Sequence, residues 1–260
     1  MIDYSGKRGV VFGIANQRSI ATAVAQQLHA LGAELAFTFG PDTKGRFEQN
    51  VRELADTMNV SHVLPADVQE DGAIEAVFAA LQKDWGGLDF VLHSIAYADR
   101  GDLEVPFSHT SRDGWRVAQE ISAYSLIRIT RYAADLMRNN GGGSIVGMTF
   151  IGSALAVPHY NVMGPAKAAL ESAVRYLARE LGPDNIRCNA LSAGALRTLS
   201  SSGIRNFGEM LKTAGEHAAL SRNVTVAEVA KTAAFLLSDV SSGITGQSIY
   251  VDGGYNIMAN

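Results

Sequence analysis

The stretch from Tyr160 to Lys167, YNVMGPAK, places a phenol and an ammonium seven positions apart at the head of an Ala-rich segment. A phenol can donate to an oxygen that is gaining negative charge, and an ammonium can hold a sugar hydroxyl in place. Residues 166–183 carry apolar side chains at 170, 173, 174, 177 and 181 and close on Gly182-Pro183, a helical stripe with a C-terminal stop. Pro165 lacks an N–H and fits only a first turn. Tyr160 therefore falls at the beginning of this helix or just before it. If the helical path extends back to Tyr160, seven residues make two turns to within about 20° and roughly 10 Å of rise, against about 6 Å for a spacing of four.

That difference separates two reductions. A Tyr followed by a Lys in an α/β chain is the pattern of nicotinamide-dependent reductases, where the familiar spacing is four. In a ketone, hydride lands on the carbon whose oxygen is protonated. In a 2-enoyl thioester, hydride lands on C3 and charge appears on the C1 oxygen, two bonds further on. With Lys167 held at the nicotinamide ribose, a Tyr one turn earlier reaches that more distant oxygen. A ketone reductase needs Tyr-x3-Lys and a Ser about 13 residues before the Tyr. Here positions 164 and 147 are both Gly, and no Tyr in the chain has Lys four residues later.

The elements that must position this pair read as alternating strands and helices. Strands are predicted at 9–13, 34–39, 62–67, 89–96, 143–150, 186–192 and 248–253, each a near-continuous apolar run of the kind buried on both faces. Helical patterns such as 19–32, 72–86 and 226–239 lie between them. The expectation is one doubly wound α/β Rossmann domain over 1–260, with a mainly parallel seven-stranded sheet and a helical substrate lid near 196–222. Ligands of such sheets bind at the carboxyl ends of the strands. At the first of these, only Gly13 of a G-x-G-x-x-G fingerprint is present; Ser19 and Ala21 are small, and Ser19 is placed to cap the next helix. A tight strand-to-helix turn without a ligand reads the same way. At the second, Gly40 and Pro41 stand where a 2′-phosphate-binding cation would sit, with Asp42, Lys44 and Arg46 following, which favours NADH over NADPH.

With GIANQRSIA, ADV, HSIAYA, YNVMGPAKAALE, NALSAGALRT and TGQSIYVDGGY in place, essentially the whole chain resembles the enoyl-acyl-carrier-protein reductases, a branch of the short-chain dehydrogenase/reductases. The resemblance implies NADH-dependent reduction of an enoyl thioester on acyl carrier protein, in fatty acid synthesis, by a homotetramer. It implies that Gly13, Ser19 and Ile20 hold the pyrophosphate side of NADH and that Asp67 and Val68 hold the adenine. Ser94, Ile95 and Ala96 would line the path beneath the cofactor, and Lys167 would bond the nicotinamide ribose. Ala195, Leu196, Arg197, Thr198 and Leu199 would contact the nicotinamide and phosphate end. Tyr160 would stabilise the enolate, with Ala98, Met163 and Met210 as candidates for the acyl pocket. Two positions depart from the pattern. Phe150 stands where many relatives carry a second Tyr, and Ala195 where a Pro is usual. The alternatives are another short-chain reductase and a non-catalytic dinucleotide-sensing protein, for which Phe150 would be a sign of decay.

Composition bounds the rest. With 47% hydrophobic and 18% charged residues, 26 Gly and 6 Pro, the chain is of the ordinary globular class. A net charge of −4 gives no electrostatic footprint for nucleic acid. No apolar run is long enough to span a membrane. The lone Cys188 has no internal disulfide partner, which fits a reducing, cytoplasmic setting, and its surroundings predict a packed thiol. His93, in a strand before Ser94, is expected to be packed too. Residues 196–222 hold Arg197, Arg205, Lys212 and Arg222 against Glu209 and Glu216, a local excess of two positive charges on an acidic chain.

Overall fold

The computed structural model describes residues 2–41, 45–198, 201 and 206–259. Seven strands among these form one sheet in the order β3-β2-β1-β4-β5-β6-β7. They are β1 (Arg8–Phe12), β2 (Glu34–Phe39), β3 (His62–Pro65), β4 (Phe90–His93), β5 (Gly143–Thr149), β6 (Ile186–Ala193) and β7 (Ser248–Val251). Every pairing is parallel, so each crossover must travel over a face of the sheet.

Helices cover both faces. On one side lie α1 (Ile20–Ala30), α2 (Arg46–Thr57) and α9 (Val226–Leu237), packed on Val11, Phe37, Leu92, Val146 and Leu191. On the other lie α3 (Asp71–Trp85), α6 (Ser125–Asn139) and α7 (Met163–Leu181), packed on Val10, Phe12, Val91, Ile145 and Ala190. Neighbouring strand residues thus feed opposite cores, which is why these strands read as unbroken apolar runs rather than alternating ones. Cys188 is completely buried among the second set, and burial pushes its thiol up to about 12.

The strand order reverses between β1 and β4, the crevice where doubly wound sheets hold ligands. The sequence predicts a longer fourth strand, 89–96. The sheet ends at His93 instead, and Ser94, Ile95 and Ala96 leave it as loop at the carboxyl edge. Three further helices complete this edge: α4 (Arg100–Glu104), α5 (Arg112–Gln119) and α8 (Phe207–His217). A π-helical turn, Glu120–Tyr124, joins α5 to α6. Among the described residues no helix is long and apolar enough to cross a membrane.

Candidate active site

The head of α7 is built differently from a straight helix. The helix begins at Met163, and Tyr160 lies in the turn before it, between His159 at φ 61° and Asn161 at φ 39°. The expectation of two continuous helical turns from Tyr160 to Lys167 is therefore corrected: the left-handed residues break the path. What places Tyr160 is a set of anchors around it. The Asn161 amide donates to the carbonyls of Asp102 (3.2 Å), Leu103 (3.2 Å) and Val105 (2.7 Å), clamping the turn to α4. Met163 N donates to Tyr160 O at 3.0 Å. Gly152 lies against the Tyr160 ring so closely that a Cβ there would run into it.

Tyr160 is 9% exposed and packs with Leu103, Ala118, Val162 and Met163, with Ala96, Ala98, Phe150 and Val157 at the margin. Burial, reinforced by the Glu171 carboxylate, pushes its phenol well above the ordinary value, so it stays a donor. Lys167 is 4% exposed; its Nζ donates to Met148 O at 2.7 Å and reaches Ile95 O at 3.5 Å. Burial pulls its ammonium down to about 8, with Glu171 opposing. The two side chains thus meet the ends of β4 and β5 at one edge of the sheet.

The turn after β1 is equally specific. Gly13 has φ 95°, and a Cβ there would collide with Ser94 O, so the turns after β1 and β4 lie backbone against backbone. Ser19 caps α1 as predicted, accepting from Thr22 N at 3.1 Å. Ile20 and Ala21 open an eleven-residue helix whose first amides have no intrahelical acceptor. The Asn50 amide donates to Ala15 O at 3.0 Å and steadies the turn from α2. Asp67 and Val68 follow β3, where the Asp67 carboxylate accepts from Gln69 N at 3.0 Å. Gly40 has open space around it, and Arg46 is exposed at the head of α2. Such an arrangement of open backbone, capped helix and adjacent loops fits a dinucleotide. Among the described residues no His, Cys, Asp and Glu cluster could hold a metal.

Ala195 and Leu196 are buried after β6, Arg197 is exposed, and Thr198 exchanges hydrogen bonds with Ser201. Leu199, Lys44, Asp42 and Arg205 lie outside the described residues. Met210, on α8, shares a cavity of about 30 Å³ with Phe150, Val157, Ala195, Val224 and Tyr255. Met163 instead turns toward the π-helical turn, where its sulfur faces Ser122 Oγ at 3.8 Å. Phe150 joins the two groups, touching both that cavity and Tyr160. Of the cations near the predicted lid, Arg222 is paired with Glu228 at 2.8 Å and Lys212 with Glu216 at 3.8 Å.

Comparison with known proteins decides the family. A family model described as enoyl-(acyl carrier protein) reductase matches residues 13–256. This chain belongs to the enoyl-(acyl carrier protein) reductase family. A Synechocystis protein named as the NADH-dependent FabI enzyme is 51% identical over 99% of both chains. A Staphylococcus aureus relative named as the NADPH-dependent enzyme is 49% identical over 99% of this chain and 100% of its own. The Bacillus cereus reductase, solved with NADP+ and an indole naphthyridinone, superposes with a TM-score of 0.95 at 46% identity over 100% of both chains. The Anaplasma phagocytophilum enzyme, solved with NAD, gives 0.93 at 41% identity, covering 98% of this chain and 96% of its own.

Several residues that shape this edge were not foreseen from sequence. Ser122, in the π-helical turn, receives Tyr97 N at 3.0 Å and donates to Tyr97 O at 3.2 Å, holding the loop after β4. A π turn has no sequence signature, although such turns collect at functional sites. Asn161 and Glu171 were visible inside the key motif, but their partners come from distant segments. His93 is fully buried as expected; it contacts Ser125 Oγ at 2.7 Å, while its Nδ1 has no hydrogen-bond partner. The larger cavity, about 310 Å³, lies at the opposite end of the strands around Lys7, Asp89, Arg187 and Asp239.

Proposed function

We propose that this chain is an NADH-dependent enoyl-[acyl-carrier-protein] reductase, which reduces the trans-2 double bond of an enoyl thioester on acyl carrier protein in fatty acid synthesis. The observation that carries this reading is the pair at the head of α7. Lys167 is buried and tied to Met148 O at 2.7 Å, while Tyr160 is buried beside Phe150 as a protonated phenol. In this reading residues 1–260 act as one dinucleotide-binding domain with its own lid.

NADH, when bound, supplies hydride to C3 of the substrate. Gly13, Ser19 and Ile20 would receive its pyrophosphate at the head of α1, and Asp67 and Val68 its adenine. Ser94, Ile95 and Ala96 would support it, and Ala195, Leu196, Arg197 and Thr198 would contact its nicotinamide end. Lys167, held by Met148 O, would donate to the ribose hydroxyls. Tyr160 would donate its O–H to the thioester carbonyl, where charge develops as the double bond is reduced, and C2 would take its proton from solvent. A preorganised donor of this kind is worth roughly 10²–10³ in rate. Ala98 and Met163 on one side of Phe150, and Met210 on the other, offer the acyl chain an apolar, water-poor path.

The assay is NADH oxidation with a crotonyl thioester, in parallel with NADH binding. Turnover is expected, and Lys167→Ala should weaken NADH binding. NADH binding without any turnover would support the dinucleotide-sensing alternative and overturn the reading. We also infer a homotetramer, working in the cytoplasm. Trp115, Tyr124, Ile127 and Tyr176 expose apolar surface along α5, the π turn, α6 and α7, area that a symmetric partner would cover. Sedimentation as a monomer at micromolar concentration would remove that part.

A further inference from the structure

We propose that Glu171 is a positioning residue of this site: it ties the loop carrying Phe150 to α7 and supplies the negative charge beside Lys167 and Tyr160. The inference rests on the proposed roles of those two residues.

The geometry begins on α7. Lys167 and Glu171 are four residues apart and share a helix face. Their side chains grip successive residues at the end of β5. Lys167 Nζ takes Met148 O at 2.7 Å, and Glu171 Oε1 accepts from Thr149 Oγ1 at 2.7 Å. The same oxygen accepts from Ser153 Oγ at 2.6 Å, at the end of the short helical turn Ile151–Ser153. Phe150 and Gly152, both of which lie against the Tyr160 ring, are therefore spanned by the two hydroxyl bonds to one carboxylate oxygen. Hydroxyl donors this short to a carboxylate are charge-assisted and stronger than neutral pairs.

The same carboxylate acts through space. It opposes the effect of burial on Lys167 and adds to the effect of burial on Tyr160. Both side chains are donors in the proposed reaction, and both lose that capacity, in part or whole, on deprotonation. One anion set among them therefore favours the donor form of each. The other titratable groups at this centre are few. His93, below Lys167 at the end of β4, is held neutral by burial and by the Lys167 charge. Tyr250 on β7 is raised by burial first, then by Glu171 and Asp252. Among the described residues, burial and the opposing Glu171 carboxylate are what move the Lys167 ammonium.

The decisive experiment follows Lys167 directly. Protein carrying ¹³Cε-lysine is titrated by NMR, with the Lys167 signal identified by its loss in Lys167→Met. Glu171→Gln keeps an acceptor for both hydroxyls and removes the charge; its Lys167 midpoint should fall by roughly 1 in pH. The double variant Thr149→Val/Ser153→Ala keeps the charge and removes the ties. Its Lys167 midpoint should stay within a few tenths, while kcat falls about tenfold with little change in KM for NADH. The alkaline limb of kcat/KM should move with the NMR midpoint in Glu171→Gln and be restored in Glu171→Asp. A Glu171→Gln midpoint equal to the parent's would overturn the electrostatic role, and unchanged kcat in the double variant would overturn the tie. The NMR result does not depend on turnover. A shifted midpoint in a protein that never reduces an enoyl thioester would leave Glu171's effect intact and sink the proposed reaction instead.

Discussion

The ring of Phe150 stands edge-on to that of Tyr160, with centroids 4.9 Å apart and planes at 63°. An edge-to-face pair of this kind adds about 0.5–1.5 kcal/mol beyond its buried area and holds the phenol in one orientation. At position 150 this chain has the aromatic volume without the hydroxyl. Phe150→Tyr is expected to leave single-turnover hydride transfer within about threefold, because the ring already fits. Tyr160→Phe is expected to lower it by roughly 10²–10³ with NADH still bound. Near-normal hydride transfer in Tyr160→Phe would show that another group stabilises the enolate.

Lys167 should make the protein less stable than its packing allows. An ammonium brought from an ordinary 10.5 to about 8 by burial costs about 3 kcal/mol in the folded state. The sign follows from proton counting. Between pH 8 and 10.5 the unfolded chain holds a proton that the folded one has released, so this cost is complete below pH 8 and fades as pH rises toward 10.5. Lys167→Met should be about 1–2 kcal/mol more stable at pH 7, after allowance for the lost bond to Met148 O, with the advantage gone near pH 10.5. Denaturant midpoints across pH measure this. A variant less stable than the parent at pH 7 would count against it.

His93 sets the acid limit. Burial, helped by the Lys167 charge, brings its imidazole from 6.5 to about 3. Below pH 6.5 the unfolded chain takes a proton that the folded chain refuses. Stability is therefore lost as pH falls from 6.5 toward 3, by up to about 5 kcal/mol. In His93→Gln the pH dependence of the urea midpoint should flatten across this window. An unaltered slope would assign acid sensitivity to other groups.

Cofactor preference tests the tip of β2. Gly40 and Pro41 offer no cation, and the first described cation beyond them is Arg46, exposed at the head of α2. Among the described residues none at the tip gives a 2′-phosphate a charged hydrogen bond, so kcat/KM should favour NADH over NADPH by at least about tenfold. Relatives named for each cofactor show that the family uses both. Equal use of the two by this protein would mean that Arg46, or Lys44, reaches the phosphate.

Position 152 tests how tightly Tyr160 is held. A methyl on Gly152 must displace the Tyr160 ring, since the other neighbour is the Phe150 ring at 3.3 Å. Gly152→Ala should cost about 1–3 kcal/mol of stability and lower kcat more than KM for NADH. Full activity in Gly152→Ala would place the working position of the ring elsewhere.

Much of this was legible along the chain. Strand–helix alternation gave the doubly wound class because parallel strands covered on both faces have to be continuously apolar, as Val10-Val11-Phe12 and Ile145-Val146 are. Ser19 as a cap, Pro165 in a first turn and the stop at Gly182-Pro183 are local rules, and each held. The Tyr160–Lys167 spacing pointed to the chemistry, although the helical path used to interpret it does not exist. His159 and Asn161 take left-handed conformations before Met163, and the Asn161 amide is satisfied by carbonyls about 56 to 59 residues away in sequence.

The sequence by itself determined which residue types could act and on which elements they would ride, because periodicity, capping and glycine requirements depend on neighbours in the chain. Only the tertiary structure decided how those residues behave. That Lys167 is drawn down in charge, that Tyr160 stays a phenol, and that Glu171 touches both sides of Phe150 depend on burial and on segments brought together across the sheet. Desolvation and Coulomb interaction act through space, and distance along the chain carries no information about either.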